Sequence, residues 1–338
     1  VCSWYCTRPA SVTRAPLRML ALASGLKELG LSLAQANAVC DQTARMPLNG
    51  VLARHAQLQF GINQNIITAS EARALVVEQP EFLRCEWRTA FEDRHIVAVD
   101  KPWDAQLKGD AAGPRWDGEE TLWQYLETEH PEVFTDGGEV RLCHQLDFAT
   151  SGIIVAAKSH EAASEVARVF RERRARKLYA ALVFGHPQWE HACWEDRIMV
   201  SKRRFKQRIS GGGKTARTVA TVAARGTLRL GSSHAGREAT LLWLEPHTGR
   251  RHQLRLHSSH HKHPIVGDLT YAGDRLAYRT FLHAAALELP LEWPDDTENN
   301  GAVRIHAPLG PRSWLNAFEP TEALRYPKEW PWAEGQLY

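Results

Sequence analysis

The sequence predicts a domain of mixed strands and helices, α/β or α+β, from residue 84 to the end of a 338-residue chain, behind a partly helical extension over residues 1–83. Three observations carry this. The pattern changes at Pro80 from helical, Leu- and Ala-rich sequence to short apolar runs. The runs at 96–99, 152–157, 178–184 and 240–244 have the length and aliphatic character of strands. Between them, 161–177 places Val166, Val169 and Phe170 on one face of a helix behind the N-cap Ser159.

The extension opens with Arg8, Arg14, Arg18 and Lys27 and carries no acid before Glu28. That is the composition of an organellar targeting segment over 1–27, and a disordered tail fits it equally. The expected compartment is therefore cytoplasmic or organellar. Leu26, Leu29, Leu31 and Leu33 lead into an Ala-rich run, and Ser70 before Glu71 marks another helix start. No apolar stretch approaches the ~18 residues of a membrane span. Cysteines at 2, 6, 40, 85, 143 and 193 form no CxxC pair, which argues against a thiolate zinc site and a disulfide scaffold. The last 48 residues, rich in Trp and Pro, are expected to wrap the domain as loops and short strands.

Charge is uneven. From Arg168 to Arg217 there are 14 Lys/Arg against 4 Asp/Glu. Such a stretch reads as a polyanion footprint or as a solvated helix face. Two other signals fail. SGGGKT at 210–215 lacks the phosphate loop's first glycine, because Arg208 stands there; a Gly-rich hairpin between basic strands fits better. His252, His257, His260, His261 and His263, with Asp268 near, match no HExxH or related zinc spacing, so no metal site is expected.

Two segments hold chemistry. In LCHQLDFATSG, 142–152, Asp147 lies in a polar loop just ahead of a strand. An aspartate held near a core needs a counter-charge or donors, although a turn aspartate capped by Thr150 or Ser151 reads as well locally. In LEPHTGRRHQLRLH, 244–257, a strand ends at Pro246, Thr248-Gly249 turns, and a short helix carries Arg251, Gln253, Arg255 and His257. Leu254 and Leu256 flank Arg255 and suggest burial. A buried arginine wants a carboxylate, and Asp147 is the obvious candidate.

CHQLDFATSG resembles the HRLDxxTSG segment of the RluA-type pseudouridine synthases, and PHTGRRHQLRLH resembles their TGRTHQIRVH. The likeness is colinear over about residues 90–310. VAVDKP at 97–102 is similar to VxNKPxG, KLYAALVFG at 177–185 to KxYxAxVxG, GKTART at 213–218 to GKxAxT, and HPIVGD with Tyr271 to HPxxGDxxY. Phe281–Ala284 and Ala307–Leu309 are similar to the closing segments.

The resemblance implies an α+β pseudouridine synthase fold over 84–338: a mixed, mainly antiparallel central sheet flanked by helices and loops. It implies isomerisation of specific RNA uridines with no cofactor and no metal. Asp147 matches the catalytic aspartate, Tyr179 the tyrosine that stacks on the target base and is implicated in proton transfer, and Arg255 the arginine paired with that carboxylate. Leu254 matches the apolar residue lining the uracil pocket. His144, Gln145, Thr150, Lys177, Arg250 and Gln253 fall in the same motifs and are expected around the substrate. Arg173, Arg174, Lys202, Arg203, Arg204, Lys206 and Lys214 are the expected grip on RNA phosphates. No protein partner or membrane is implied, and a monomer is expected.

Three departures stand out. Gln145 replaces the usual arginine after the motif histidine, which is positioned to fill the space left by the flipped nucleotide. Asp104 stands where the opening motif has glycine. No S4-type RNA-binding domain is recognisable in residues 1–80. The alternative reading is a non-catalytic RNA-binding protein on the same fold, favoured only by Gln145. A metal-dependent hydrolase built on the histidine group is a third.

Overall fold

In this computed structural model the described residues are 87–330, apart from 104, 109–120, 136, 202–205, 231–233, 275–276, 278, 294–300, 310–313 and 315–316. The extension over 1–83, its targeting-like segment, Asp104, Lys202, Arg203 and Arg204 lie outside them.

The chain runs β1 (Arg88–Glu92), β2 (Ile96–Lys101), α1 (Leu122–Glu129), β3 (Ser151–Ala157), α2 (His160–Arg171), β4 (Arg176–Phe184), β5 (His191–Val200) and β6 (Gln207–Ile209). β7 (Lys214–Leu228), β8 (Glu238–Pro246), α3 (Gln253–His260), β9 (Leu282–Leu291), β10 (Gly301–His306) and β11 (Phe318–Pro320) follow. All eleven strands of the described residues join one sheet in the order β1-β2-β3-β9-β4-β8-β7-β5-β6, with β10 on β9 and β11 on β7. Every pairing is antiparallel except β3 with β9, which run parallel over Ser151–His283 and Gly152–Ala284. This is the mixed, mainly antiparallel α+β sheet that the resemblance implied.

That two-rung parallel junction joins two half-sheets and decides where the site falls. Gly152 makes it possible: its φ is +105°, and a Cβ there would collide with the Ala284 backbone. Beyond the junction β9 leaves β3, and the chain over 141–144 fills the vacated edge. Cys143 N–H donates to Val155 O at 2.9 Å and Ala157 N–H to Arg141 O at 2.9 Å. The Val155 N–H donates to His144 Nε2 at 3.1 Å, so an imidazole stands in for a carbonyl.

Alternation explains the strands' unbroken apolar runs. Ile96, Ala98, Ile153 and Val155 pack with Ala162, Val166 and Val169 of α2. Val97, Val99, Ile154 and Ala156 pack on the other face with Leu122 and Leu126 of α1. A strand covered on both faces has no polar positions to alternate. α1 is closed by a capping box between Thr121 and Gln124, and α2 by Ser159, whose Oγ accepts from Ala162 N at 3.1 Å.

Two expectations need correction. α2 stops at Arg171, six residues short of the predicted end, because Arg173 adopts a left-handed conformation (φ 60°) and turns the chain into β4. The Gly-rich turn at 210–213 does not close a hairpin of paired strands: β6 and β7 both pair with β5, one on each side. Gly213 crosses over the end of β5, where a Cβ would come 2.6 Å from the Ile198 carbonyl carbon. The C-terminal residues do form loops and the short strands β10 and β11, as expected, and their tryptophans seal the core: Trp293, Trp314 and Trp330 are buried, and Trp330 Nε1 donates to Glu245 at 2.7 Å.

Candidate active site

The loop 144–150 enters β3 just ahead of the junction, and its shape is set from beneath by Lys101. This lysine is fully buried, and its Nζ donates to the carbonyls of Pro102, Phe148 and Thr150, each at 2.9 Å. Thr150 N–H closes a turn onto Asp147 O at 3.0 Å, and Thr150 itself is buried. The Asp147 side chain thus stands on a braced turn and keeps 24% of its surface exposed.

Arg255 reaches it from α3. Its Nε and Nη2 grip both oxygens of Asp268 at 2.8 Å, and its remaining Nη1 donates to Asp147 Oδ2 at 3.1 Å. The sequence suggested Asp147 as the arginine's partner; the bidentate partner is Asp268, which also accepts the N–H groups of Thr270 at 2.8 Å and Tyr271 at 3.1 Å. Burial works against the guanidinium's charge, but the hydrogen bonds and field of Asp268, then of Asp147, outweigh it and hold Arg255 protonated. The Arg255 guanidinium also lies 5.4 Å from the centre of the Tyr271 ring.

His252 flanks Asp147 on the other side, its Nε2 3.9 Å from Oδ1 and its Nδ1 bonded to Tyr271 Oη at 2.9 Å. Burial holds this ring below the usual histidine range despite Asp147 beside it. Tyr179 of β4 packs against both neighbouring cores. Burial first, and the charge of Asp147 second, push its phenol well above the ordinary range, so it keeps its proton. Lys177, two residues earlier on the same face of β4, is drawn down by burial to about 8. His144 falls to about 4, through burial and the neighbouring Lys177 charge.

The structure therefore brings Asp147, Tyr179, Arg255 and Thr150 together and buries Leu254 behind them. Gln145 is exposed in the same loop, beside exposed Phe148. Two members of the expected substrate set are committed elsewhere. His144 Nε2 serves Val155, with its ring 5.1 Å from that of Phe170. Gln253 is buried with all its amide capacity spent: Oε1 accepts from Thr248 Oγ1 at 2.7 Å and Arg250 N at 3.0 Å, and Nε2 donates to Arg217 O and Thr218 Oγ1. It shapes the turn rather than facing a substrate. Arg250 Nε is bonded to Thr215 O at 3.0 Å.

The phosphate-grip set also divides. Arg174 is paired with Glu292 at 3.2 Å and Glu172 at 3.5 Å, so its charge is matched within the protein. Arg173 and Lys214 are exposed, and Lys206 is exposed with its Nζ on Thr270 O at 3.0 Å. Sequence reasoning gave Asp268 and Lys101 no role in holding the site. Asp268 was read with the histidines, and Lys101 entered only as part of a motif; a lysine inside an apolar strand was the available signal.

Comparison with known proteins fits this geometry. The family model described as RNA pseudouridylate synthase matches residues 95–260. RNA pseudouridylate synthase domain-containing protein 1 of Danio rerio is 33% identical over 230 residues, 64% of this chain and 73% of that protein. The dual-specificity RNA pseudouridine synthase RluA of Vibrio vulnificus is 34% identical over 203 residues, 58% of this chain and 75% of that protein. Among solved structures, human RNA pseudouridylate synthase domain containing 1 aligns with a TM-score of 0.58 at 28% identity, covering 72% of this chain and 92% of that one.

Proposed function

The chain belongs to the RluA-type RNA pseudouridine synthase family, and from that premise we propose that it isomerises uridine in RNA through Asp147, with no cofactor in the chemistry. The observation that carries the proposal is the unequal sharing of Arg255. Asp268 takes two of its hydrogen bonds and Asp147 one, which leaves Asp147 oriented by a cation and with unspent oxygen lone pairs facing solvent.

The reaction breaks the bond between ribose C1′ and uracil N1 and forms one from C1′ to C5. N1 gains a proton, and C5 loses its own. Asp147 acts at the ribose, as nucleophile or base, while the detached uracil turns in a pocket bounded by Leu254 and Tyr179. Tyr179 stacks on the base, which returns about 1–3 kcal/mol of the cost of flipping it out of the RNA. Its retained phenolic proton makes it a donor rather than a base in the resting site. Arg173, Lys206 and Lys214, with Lys202, Arg203 and Arg204, supply the phosphate contacts, and Arg174 is left out of that set. Exposed Gln145 and Phe148 meet the space vacated by the flipped nucleotide.

Tritium release from RNA labelled at uridine C5 tests the proposal, on total tRNA and total rRNA separately. Release by the wild type and none by Asp147→Asn, with RNA affinity retained, is the expected result. Normal release by Asp147→Asn would sink the assignment of the aspartate. RNA binding without release from any pool would return the chain to the non-catalytic reading.

A further inference from the structure

Three large apolar side chains are exposed among the described residues: Phe148, Val200 and Leu269. Only one of them is aromatic, and no other Phe, Tyr or Trp of the described residues is exposed. That single exposed ring follows Asp147 directly in the chain. A lone apolar residue on a surface needs no explanation by itself. The backbone beneath this one gives it a meaning.

Phe148 occupies the first corner of the turn that Thr150 N–H closes onto Asp147 O at 3.0 Å. Its carbonyl accepts from the buried Lys101 Nζ at 2.9 Å, and so does the carbonyl of Thr150. The main chain is therefore pinned on both sides of the corner, while the ring stays in solvent. Turn corners ordinarily take Gly, Pro, Asn, Asp or Ser. An uncovered phenylalanine there gains neither turn preference nor burial, and a local rule broken without structural return is expected at a functional site. Gln145, exposed in the same loop, is of another kind: its amide reads hydrogen-bonding edges and cannot take the place of a base in a stack.

We propose that Phe148 is the wedge that holds the RNA open: its ring enters the gap left by the target uridine and stacks on the base that stays behind. The inference rests on the uridine isomerisation proposed above, and it assigns the gap to the ring and not to Gln145. Apolar side chains inserted between bases are a general means of keeping a nucleic acid unstacked. A wedge has to hold its place while the detached base turns, and the Lys101 clamp on the Phe148 carbonyl supplies that rigidity. Two aromatic faces then serve one flip, Tyr179 for the base that leaves and Phe148 for its neighbour. Stacking is tolerant of base identity, because every base has a π face. The favoured substrate is therefore a uridine drawn out of a stacked, folded segment, with no fixed requirement on the base next to it.

The test compares tritium release from total tRNA and total rRNA by the full-length wild type, Phe148→Ala, Phe148→Leu, Phe148→Trp, Gln145→Ala and Leu269→Ala, with the melting temperature of each. All the substituted positions are exposed, so melting should stay close to that of the wild type. Phe148→Ala should lose roughly 10- to 100-fold in kcat/KM, the worth of one aromatic–base stack. Phe148→Trp should keep most of the activity, Phe148→Leu should fall between, and Leu269→Ala, equally apolar and exposed but off the turn, should match the wild type. Wild-type release equalled by Phe148→Ala would remove the wedge and leave the isomerase standing. No release by the wild type from either pool would remove the reaction, and the wedge with it. A loss in Phe148→Ala that tryptophan does not restore, or one that Leu269→Ala shares, would reduce the ring to general packing and overturn the wedge. A loss in Gln145→Ala as large as that in Phe148→Ala would overturn the assignment of the gap to the ring.

Discussion

Asp147 and Asp268 share one arginine and differ in everything else. Asp268 is 1% exposed and accepts four hydrogen bonds, two from Arg255 and two from the backbone of Thr270 and Tyr271. Asp147 is 24% exposed and accepts one from Arg255, at 3.1 Å. A saturated carboxylate is an anchor; its lone pairs are occupied and its geometry is fixed. An undersatisfied carboxylate keeps lone pairs free for another partner. Under the proposed function the pair separates stability from chemistry, with Arg255 held rigid by Asp268 and turned to the reaction through Asp147.

The largest effects test that separation directly. Asp147→Asn should abolish tritium release while costing no more than about 1 kcal/mol of stability, since it loses one hydrogen bond at a partly exposed site. Asp268→Asn should do the reverse in kind. It leaves Arg255 buried with half its clamp, and urea unfolding should register a loss of about 3–5 kcal/mol. A variant stable at position 268 and unstable at 147 would reverse the roles assigned to the two.

Lys101→Met probes the bracing under Asp147. Its three carbonyl acceptors would be left buried, at about 1–3 kcal/mol, and activity should fall further than stability because the turn carrying Asp147 loosens. Equal losses of both would show that Lys101 supports the core alone. The smallest effect is electrostatic. The folded Lys177 amine is depressed to about 8 from the usual 10.5, so the unfolded chain binds the proton more tightly between those values. Stability of the wild type should therefore rise from pH 8 to about 10.5 relative to Lys177→Met, and the two should run parallel below pH 8. A flat difference across that window would remove Lys177 from the buried site.

Much of this was readable in the sequence because the relevant signals are local. The strands of the two-sided core appear as apolar runs, and the segments around Asp147, Tyr179 and Arg255 each hold their pattern within a dozen residues. The rest depends on distance. Nothing near Arg255 in sequence separates Asp268 from Asp147 as the bidentate partner. The helix predicted to run to 177 ended at 171 because Arg173 turns left-handed without a glycine to announce it. Arg174 looked available for RNA until Glu292, from the end of β9, was placed beside it. Gln253 looked like a substrate contact until its four partners were counted.

The two-rung junction between β3 and β9 has a consequence for the protein during its synthesis. Gly152 and Ala284 are 132 positions apart, and their pairing joins the half-sheet that presents Asp147 to the one that presents Tyr179. A ribosome-bound chain that has made Asp147, Tyr179 and even Arg255 still lacks β9 between the two halves, and its aspartate has no fixed seat. RNA passing close to the unfinished chain therefore meets neither a joined sheet nor a seated aspartate. Products that stop before residue 282 should be inert however much of the motif set they contain, and activity should appear together with the closing of the sheet.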